Sequence, residues 1–339
     1  MFMSTLGLPG RASTAGLLTA LQAVGEATRL RMLLLLAEAE LTVSELVAIL
    51  GQSQPRVSRH LKLLVEAGLA ERNREGAWAF FRLTEDGRRF AQDFLARLNP
   101  QDAATLADRA RLATTREARR KQAAAYFAER AADWDRIRAL HAPDERVEQA
   151  VLALLKGVKP RAVLDLGTGT GRMLELFARD AERAIGVDQS PAMLALARER
   201  IAQAGLTQAQ LRQGDIYAPP VERDAFDLVI VHQVLHFLDD PARALHEAAR
   251  TLRPGGRLLI VDFAAHGEDA LREEFAHRRL GFADEEIERD LVAAGLVFER
   301  HVAVAPKAGE PDKLNVVLWL ARDPRIISDD LSNPQSAFA

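Results

Sequence analysis

Between Val163 and Arg172 the chain reads Val163-Leu164-Asp165-Leu166-Gly167-Thr168-Gly169-Thr170-Gly171-Arg172: an apolar run, an acid, then three alternating glycines before amphipathic sequence resumes. Glycine lets main chain approach a ligand with no Cβ in the way and tolerates positive φ. The pattern therefore predicts a strand, a tight turn and a helix N-terminus at which a ligand touches backbone. Arg172 stands where a dinucleotide fingerprint wants its third glycine, which disfavours a pyrophosphate reader.

A nucleoside ligand needs a second acid that accepts hydrogen bonds from a ribose diol. Asp188 supplies it at the end of the β-type run Arg183–Asp188, and Gln189-Ser190-Pro191 opens a helix with Ser190 as cap and Pro191 in the first turn. Gln213-Gly214-Asp215-Ile216 follows a third strand-like piece, and an adenine fits between Ile216 and Met193. The run Phe226–His232 and, behind the turn Arg253-Pro254-Gly255-Gly256, the run Arg257–Val261 continue the series.

Together these ordered motifs resemble the class I S-adenosylmethionine (SAM) dependent methyltransferases, of the UbiE-like kind, over residues 145–322. The resemblance implies SAM or its product S-adenosylhomocysteine (SAH) as cofactor. Asp165, Gly167, Thr168, Gly169 and Gly171 would then line the methionine moiety. Asp188 and Gln189 would take the ribose, and Met193, Gly214, Asp215 and Ile216 the adenine. Dinucleotide binding on the same layout is the alternative. His232 and His236 follow the fourth strand, where the resemblance places the methyl-donor end of the cleft. Either is a candidate general base for an acceptor that carries a proton, and His232 is also the candidate cofactor contact. A ligand hydrogen bond or a helix cap is the alternative role for either histidine. The segment Glu273–Phe282 is a candidate cover for the acceptor pocket, or else a solvated helix face.

Residues 17–98 follow another pattern. Short helices around Leu17–Val24 and Ala27–Ala37 precede a third that starts at a capping box, Thr42 with Glu45 three residues on, and ends at Gly51. A fourth helix begins after Ser53. Its apolar positions Val57, Leu61, Leu64 and Val65 share one face, while Gln54, Arg56, Ser58, Arg59 and Lys62 present donors suited to base edges and phosphates. Strands over Leu69–Arg72 and Trp78–Leu83 form a hairpin across Asn73-Arg74-Glu75-Gly76. This order, with the wording Arg29–Leu33, Ser53–Leu61, Ala67-Gly68-Leu69 and Arg74-Glu75-Gly76, resembles the ArsR/SmtB-type winged-helix repressors. The resemblance implies binding of a double-stranded DNA operator through Gln54, Arg56, Ser58, Arg59, His60, Lys62, Arg72 and Arg74. It also implies a homodimer through the helices Leu17–Val24 and Glu85–Leu98. A dimerisation module with a merely solvated basic face is the alternative.

Placement rather than total charge carries the electrostatics. Residues 1–98 hold 12 Lys+Arg against 10 Asp+Glu, a balance of +2, yet between Gln52 and Val65 there are three basic residues and no acid. No metal site is expected. The family's thiolate pair is missing, with Leu46 and Ala48 in its place, and His60 is the domain's lone histidine, a DNA contact or a packed ring.

The 339 residues, 48% hydrophobic and 27% charged, suffice for two cores. The fold class expected is a two-domain α/β chain: an N-terminal winged helix-turn-helix (17–98) and a C-terminal Rossmann-like methyltransferase domain with a seven-stranded, mostly parallel sheet (145–322). A helical linker or lid spans 99–144 and a disordered tail 323–339. In the linker Tyr126, Phe127, Trp134 and Ile137 form an apolar stripe suited to a lid, and a stiff helix there can carry motion to the DNA-binding half. Zero cysteines suit a reducing compartment. No apolar run reaches the length of a membrane span, so a cytoplasmic location is expected. DNA-amino methyltransferase motifs of the asparagine-proline-proline-aromatic kind are missing after the fourth strand, which leaves a small-molecule acceptor. Two functions stay open: a regulator that senses SAM or SAH, and a working methyltransferase whose winged helix autoregulates or dimerises it.

Overall fold

In the computed structural model, which describes residues 13–75, 78–134, 144–306 and 313–326, the chain divides into two units between Gln122 and Ala123.

The first unit begins with α1 (Thr14–Val24), α2 (Ala27–Glu38), β1 (Leu41–Thr42), α3 (Val43–Leu50) and α4 (Gln54–Glu66). At the start of α3 the Thr42 hydroxyl accepts the Glu45 N–H at 3.3 Å, and the Glu45 carboxylate accepts the Thr42 N–H at 2.9 Å. Both orphan donors of the first turn are thereby satisfied. Gly51, at φ 65°, ends that helix and turns the chain into α4. Ser53 sits at the cap position of α4 without a side-chain cap bond, so Pro55 in the first turn sets the entry. Val57, Leu61 and Leu64 of α4 are at most 1% exposed and pack with Met32, Leu33, Leu46 and Leu69.

Strands β2 (Ala70–Glu75) and β3 (Trp78–Leu83) pair antiparallel from Ala70 opposite Leu83 to Glu75 opposite Trp78, and β1 flanks β3 on its other side. Asn73, Arg74 and Glu75, expected in the turn, are thus strand. Gly76 and the Arg74 side chain lie outside the described residues. After α5 (Glu85–Leu95), α6 (Ala103–Arg130) supplies Leu112, 1% exposed, to the first unit's core. Asp108 of α6 is 3% exposed and accepts both arms of Arg31 at 2.6 Å and Arg111 at 2.7 Å. The stretch expected as a linker from residue 99 is therefore packed into the first unit over much of α6.

The second unit contains the end of α6, α7 (Asp144–Leu154) and a sheet of β4 (Ala162–Leu166), β5 (Arg183–Asp188), β6 (Ala209–Gln213), β7 (Phe226–His232), β8 (Leu252–Phe263), β9 (Val297–Val304) and β10 (Val316–Arg322). Its order is β6-β5-β4-β7-β8-β10-β9. Neighbours from β6 to β8 run parallel, and β10 is antiparallel to both β8 and β9. The turn Arg253–Gly256, expected before its strand, lies within β8 as a bulge: Phe226 pairs with Leu252 and Leu228 already with Arg257. Period-two alternation splits the strands between two cores. Leu164, Ile185, Val229 and Ile260 face one, and Val163, Ala184, Ile230 and Leu259 the other. Helices α8 (Arg172–Phe177), α9 (Pro191–Gln203), α10 (Pro241–Thr251), α11 (Ala270–Glu274) and α12 (Asp284–Ala293) complete the unit. Asp323, expected in a disordered tail, is instead 4% exposed and accepts from Arg325, which also bonds Asp224. Ser328–Ala339 and Ile137 lie outside the described residues.

Strand order reverses direction between β4 and β7. In an open parallel sheet that switch point, at the carboxyl ends of the strands, is where a crevice forms.

Candidate active site

The glycine turn leaves β4 at the switch point. Gly167, Gly169 and Gly171 take φ of 75°, 52° and 83°, values that cost an L side chain about 1–2 kcal/mol each. The N–H groups of Gly167 and Thr168 both donate to Val187 O, at 2.8 and 3.0 Å, locking the turn to β5. A Cβ on Gly167 would stand 2.4 Å from Val234 Cγ2. One on Gly169 would meet nothing nearer than Trp134 Nε1 at 3.8 Å. Gly167 is thus glycine for packing, and Gly169 keeps a space clear. Asp165, 1% exposed, accepts the Thr168 hydroxyl at 2.6 Å, so both side chains hold the turn's shape.

Asp188 ends β5. Its Oδ2 accepts the Gly169 N–H at 2.8 Å and its Oδ1 the Ser190 N–H at 2.8 Å. Burial pushes the carboxyl above its ordinary 3.8, while the N–H groups of Ser190, Gly169 and Gln189 pull the other way. Ser190 caps α9 through the N–H of Met193, which is 2% exposed, and Gln189 is exposed. At the end of β6, Asp215 accepts the Tyr217 N–H at 3.0 Å, and Ile216 is half-buried against the core. Glycine at 214 lets Pro220 close over the strand end: a Cβ there would lie 2.4 Å from Pro220 Cδ.

The ends of β7 and β8 complete the edge. His232 is half-buried as the last residue of β7. Gln233, which the sequence reading passed over, follows at φ 52° with only 5% exposure, and its Nε2 has no hydrogen-bond partner among the described residues. Backbone strain together with an unsatisfied buried donor makes Gln233 a candidate ligand-facing position. The sequence signal was faint, a polar residue between a histidine and a valine. His236 and Asp262, each at most 2% exposed, form a 2.7 Å pair. Asp262 was legible in principle as a lone acid ending an apolar run, the same signature as Asp165 and Asp188. From the stripe noted in the sequence, Phe127 and Trp134 lie 5.2 Å apart, and Phe127 packs on Phe237 at 4.9 Å.

In the first unit, Gln54, Arg56, Ser58, Arg59 and Lys62 of α4 are exposed on one face, and so is Arg72 of β2. His60 departs from the expected readout set. It is 8% exposed and turned inward, with Nδ1 3.8 Å from Glu26, because the apolar stripe of α4 rotates position 60 toward the core. Burial lowers its pKa from 6.5, with Glu26 opposing and Arg29, Arg56 and Arg59 reinforcing.

Residues 26–72 match the family model for bacterial regulatory proteins of the arsR family, and residues 164–260 match that of a methyltransferase domain. The chain joins an arsR-family segment to a methyltransferase domain. Trans-aconitate 2-methyltransferase of Methylobacterium nodulans is 40% identical over 133 residues, 38% of this chain and 49% of the relative. The uncharacterized methyltransferase YcgJ of Bacillus subtilis is 32% identical over 115 residues, 34% of this chain and 45% of the relative. The chain thus spans about half the length of the curated relatives it matches. A solved complex between the Haloferax volcanii Trm112 methyltransferase activator and a methyltransferase superposes with a TM-score of 0.51 at 22% identity, over 59% of this chain and 96% of that one. That likeness concerns the fold alone. The match 164–260 runs from the glycine turn through Asp188, Asp215 and His232. Among the described residues no helix is long and apolar enough to cross a membrane.

Proposed function

We propose that this chain is a DNA-binding transcriptional regulator whose methyltransferase domain binds SAM and SAH. The observation that carries the reading is the pairing of Gly169 with Asp188. The glycine keeps a space clear above the turn, and the carboxylate beside it is already oriented by the turn's own N–H. A ribose diol donates two hydrogen bonds to such a carboxylate, and main chain without Cβ atoms lets the methionine end lie close. In this reading Asp165, Gly167, Thr168, Gly169 and Gly171 flank the methionine portion and Asp188 with Gln189 holds the ribose. Met193, Gly214, Asp215 and Ile216 surround the adenine, and His232 with Gln233 borders the sulfonium side. When bound, SAM supplies an activated methyl group. Arg56, Arg59 and Lys62, with Gln54, Ser58 and Arg72, meet an operator in the first unit. The exposed leucines of α1, Leu17, Leu18 and Leu21 at 45%, 53% and 42%, support a homodimer.

Calorimetry with SAM and SAH, followed by operator binding in apo, SAM and SAH samples, tests the reading. Operator affinity is expected to change with ligand, and by linkage ligand affinity changes by the same factor when operator is added. No heat with either nucleoside overturns the cofactor assignment, and identical operator binding in all three samples overturns the regulatory one.

A second reading, a working methyltransferase acting on a small molecule with the winged helix in an autoregulatory role, is favoured by the intact turn and Asp188 pair. The names of the curated relatives, trans-aconitate 2-methyltransferase among them, point the same way. Transfer of labelled methyl from SAM to a component of a cell extract distinguishes it from a pure sensor.

A further inference from the structure

Asp262 ends β8 at 0% exposure, and a buried carboxylate with no partners would cost several kcal/mol. It has three. The Phe263 N–H donates at 2.8 Å, the His236 N–H at 3.4 Å, and the His236 ring through Nδ1 at 2.7 Å. With the Nδ1 proton held by the carboxylate, the lone pair of His236 is on Nε2. The ring is fixed from both sides. Its backbone carbonyl accepts the N–H groups of Arg278 and Arg279, at 2.8 and 2.9 Å, and the His277 ring lies over it at 4.2 Å. The cations nearby are compensated, Arg278 by Asp239 at 2.6 Å and Arg279 by Glu286 at 2.8 Å. His266 stands beyond Phe263, 6.1 Å ring to ring.

A layer of flat rings leads from this pair to the glycine turn. Phe237 is 4.0 Å from the His236 ring and 4.9 Å from Phe127, and Trp134, 6.0 Å from Phe237, borders the space above Gly169. Phe127, Trp134 and Phe237 are the surfaces on which a planar, apolar body between the methyl-donor end of the cleft and a proton acceptor would pack. An imidazole base is matched to a phenolic hydroxyl, near 10, far better than to an alkyl alcohol.

We propose that His236, oriented by Asp262 and packed against His277, is the proton acceptor for an aromatic hydroxyl seated against Phe127, Trp134 and Phe237. This rests on the SAM reading above. The hydroxyl proton passes to Nε2 of His236 and the O–H electron pair stays on oxygen. That oxygen forms the new O–C bond, and the pair of the broken C–S bond returns to sulfur. His236 touches the reacting hydroxyl, whereas Asp262 and His277 are positioning residues.

The test uses 4-nitrophenol, whose anion absorbs at longer wavelength than its neutral form, with the SAH-saturated full chain at a pH where the free probe is mostly protonated. Bound probe is expected to show the phenolate band. In H236Q and D262N the phenolate fraction is expected to fall at least tenfold while SAH heats are unchanged. Should H236Q fail to bind SAH, the isosteric D262N carries the comparison. Probe bound only in neutral form, no probe bound, or equal phenolate fractions in wild type and variants each overturn the proposal. The SAM reading fails separately, on absent SAH heat, and the phenolate band can then still be measured without SAH.

Discussion

The Asp188 carboxylate accepts the N–H of Gly169 across 2.8 Å, so the acid at the end of β5 and the turn after β4 are one unit before any ligand arrives. Asp188→Ala is expected to weaken SAH binding by about 1–3 kcal/mol, the range for losing a charged acceptor, and to leave operator binding of the apo chain unchanged. Calorimetry and a gel-shift titration on the same preparation check both halves of that statement.

The raised pKa of Asp188 sets a pH dependence. A diol donates to the ionised carboxylate, so the proton must leave for binding. SAH affinity should fall as pH drops through the folded value, which lies above 3.8. The sign for stability is opposite. A carboxyl whose folded pKa is raised contributes stability at low pH that is lost as pH rises through the folded value. Asp188→Asn should therefore remove the pH dependence of binding, with weaker SAH binding and a lower melting temperature at neutral pH, because an amide NH2 replaces one of the two oxygens that accept the Gly169 and Ser190 N–H groups.

Gly167 and Gly169 differ in what surrounds them. Alanine at either costs about 1–2 kcal/mol for left-handed backbone, but at Gly167 the Cβ also strikes Val234, adding about 1–3 kcal/mol of overpacking. Denaturant unfolding should rank Gly167→Ala below Gly169→Ala. SAH affinity should fall in Gly169→Ala even where its fold is intact.

The central strands were legible because β4, β5, β7 and β8 carry the apolar runs Val163–Leu164, Ala184–Val187, Leu228–Val231 and Leu258–Val261, each followed by Asp165, Asp188, His232 or Asp262, whereas β6, Ala209-Gln210-Leu211-Arg212-Gln213, was marked chiefly by Gly214 behind it. The winged helix was legible through the capping box at Thr42 and Glu45. Features set by tertiary contact were not. Nothing local shows that Asp108 and Leu112 anchor α6 in the first unit, since their partners are 77 residues away in Arg31 and in a core built from other helices. The basic neighbours Arg59 and Lys62 leave His60 open in sequence as a DNA contact or a packed ring, and the 100° step of the helix turns it inward. Gln233 was invisible because its φ is imposed by the connection from β7 to the following turn.

Gln233 holds a left-handed conformation that glycine adopts without cost. Gln233→Gly should relieve about 1 kcal/mol of left-handed strain, offset by the cavity left by a buried side chain and by glycine's larger unfolded-state entropy, and lower SAH affinity, since its buried Nε2 donor is lost. A folded variant that binds SAH as well as wild type would remove Gln233 from the site.

His60 makes the first unit acid-sensitive. Its folded pKa is depressed by burial while the unfolded ring titrates near 6.5, so the unfolded chain binds more protons below that pH. The stability it contributes is present above 6.5 and lost as pH falls toward the folded value. His60→Gln should flatten this dependence in thermal melts of the full chain between pH 7 and 5, chosen as about the range over which a histidine titrates.

Arg56 and Arg59 stand exposed on the face of α4 opposite Leu61 and Leu64, with no acid on the helix before Glu66. If each neutralises one phosphate, replacing both by alanine should reduce the slope of log K against log salt by roughly 1.8, about 0.9 per contact. The loss should be uniform across DNA sequences, because phosphate contacts position the protein without reading bases. SAH binding to the free double variant should match wild type. An unchanged salt slope would mean that α4 is not the surface facing the duplex, and that the arsR-family segment serves this chain as an assembly module instead.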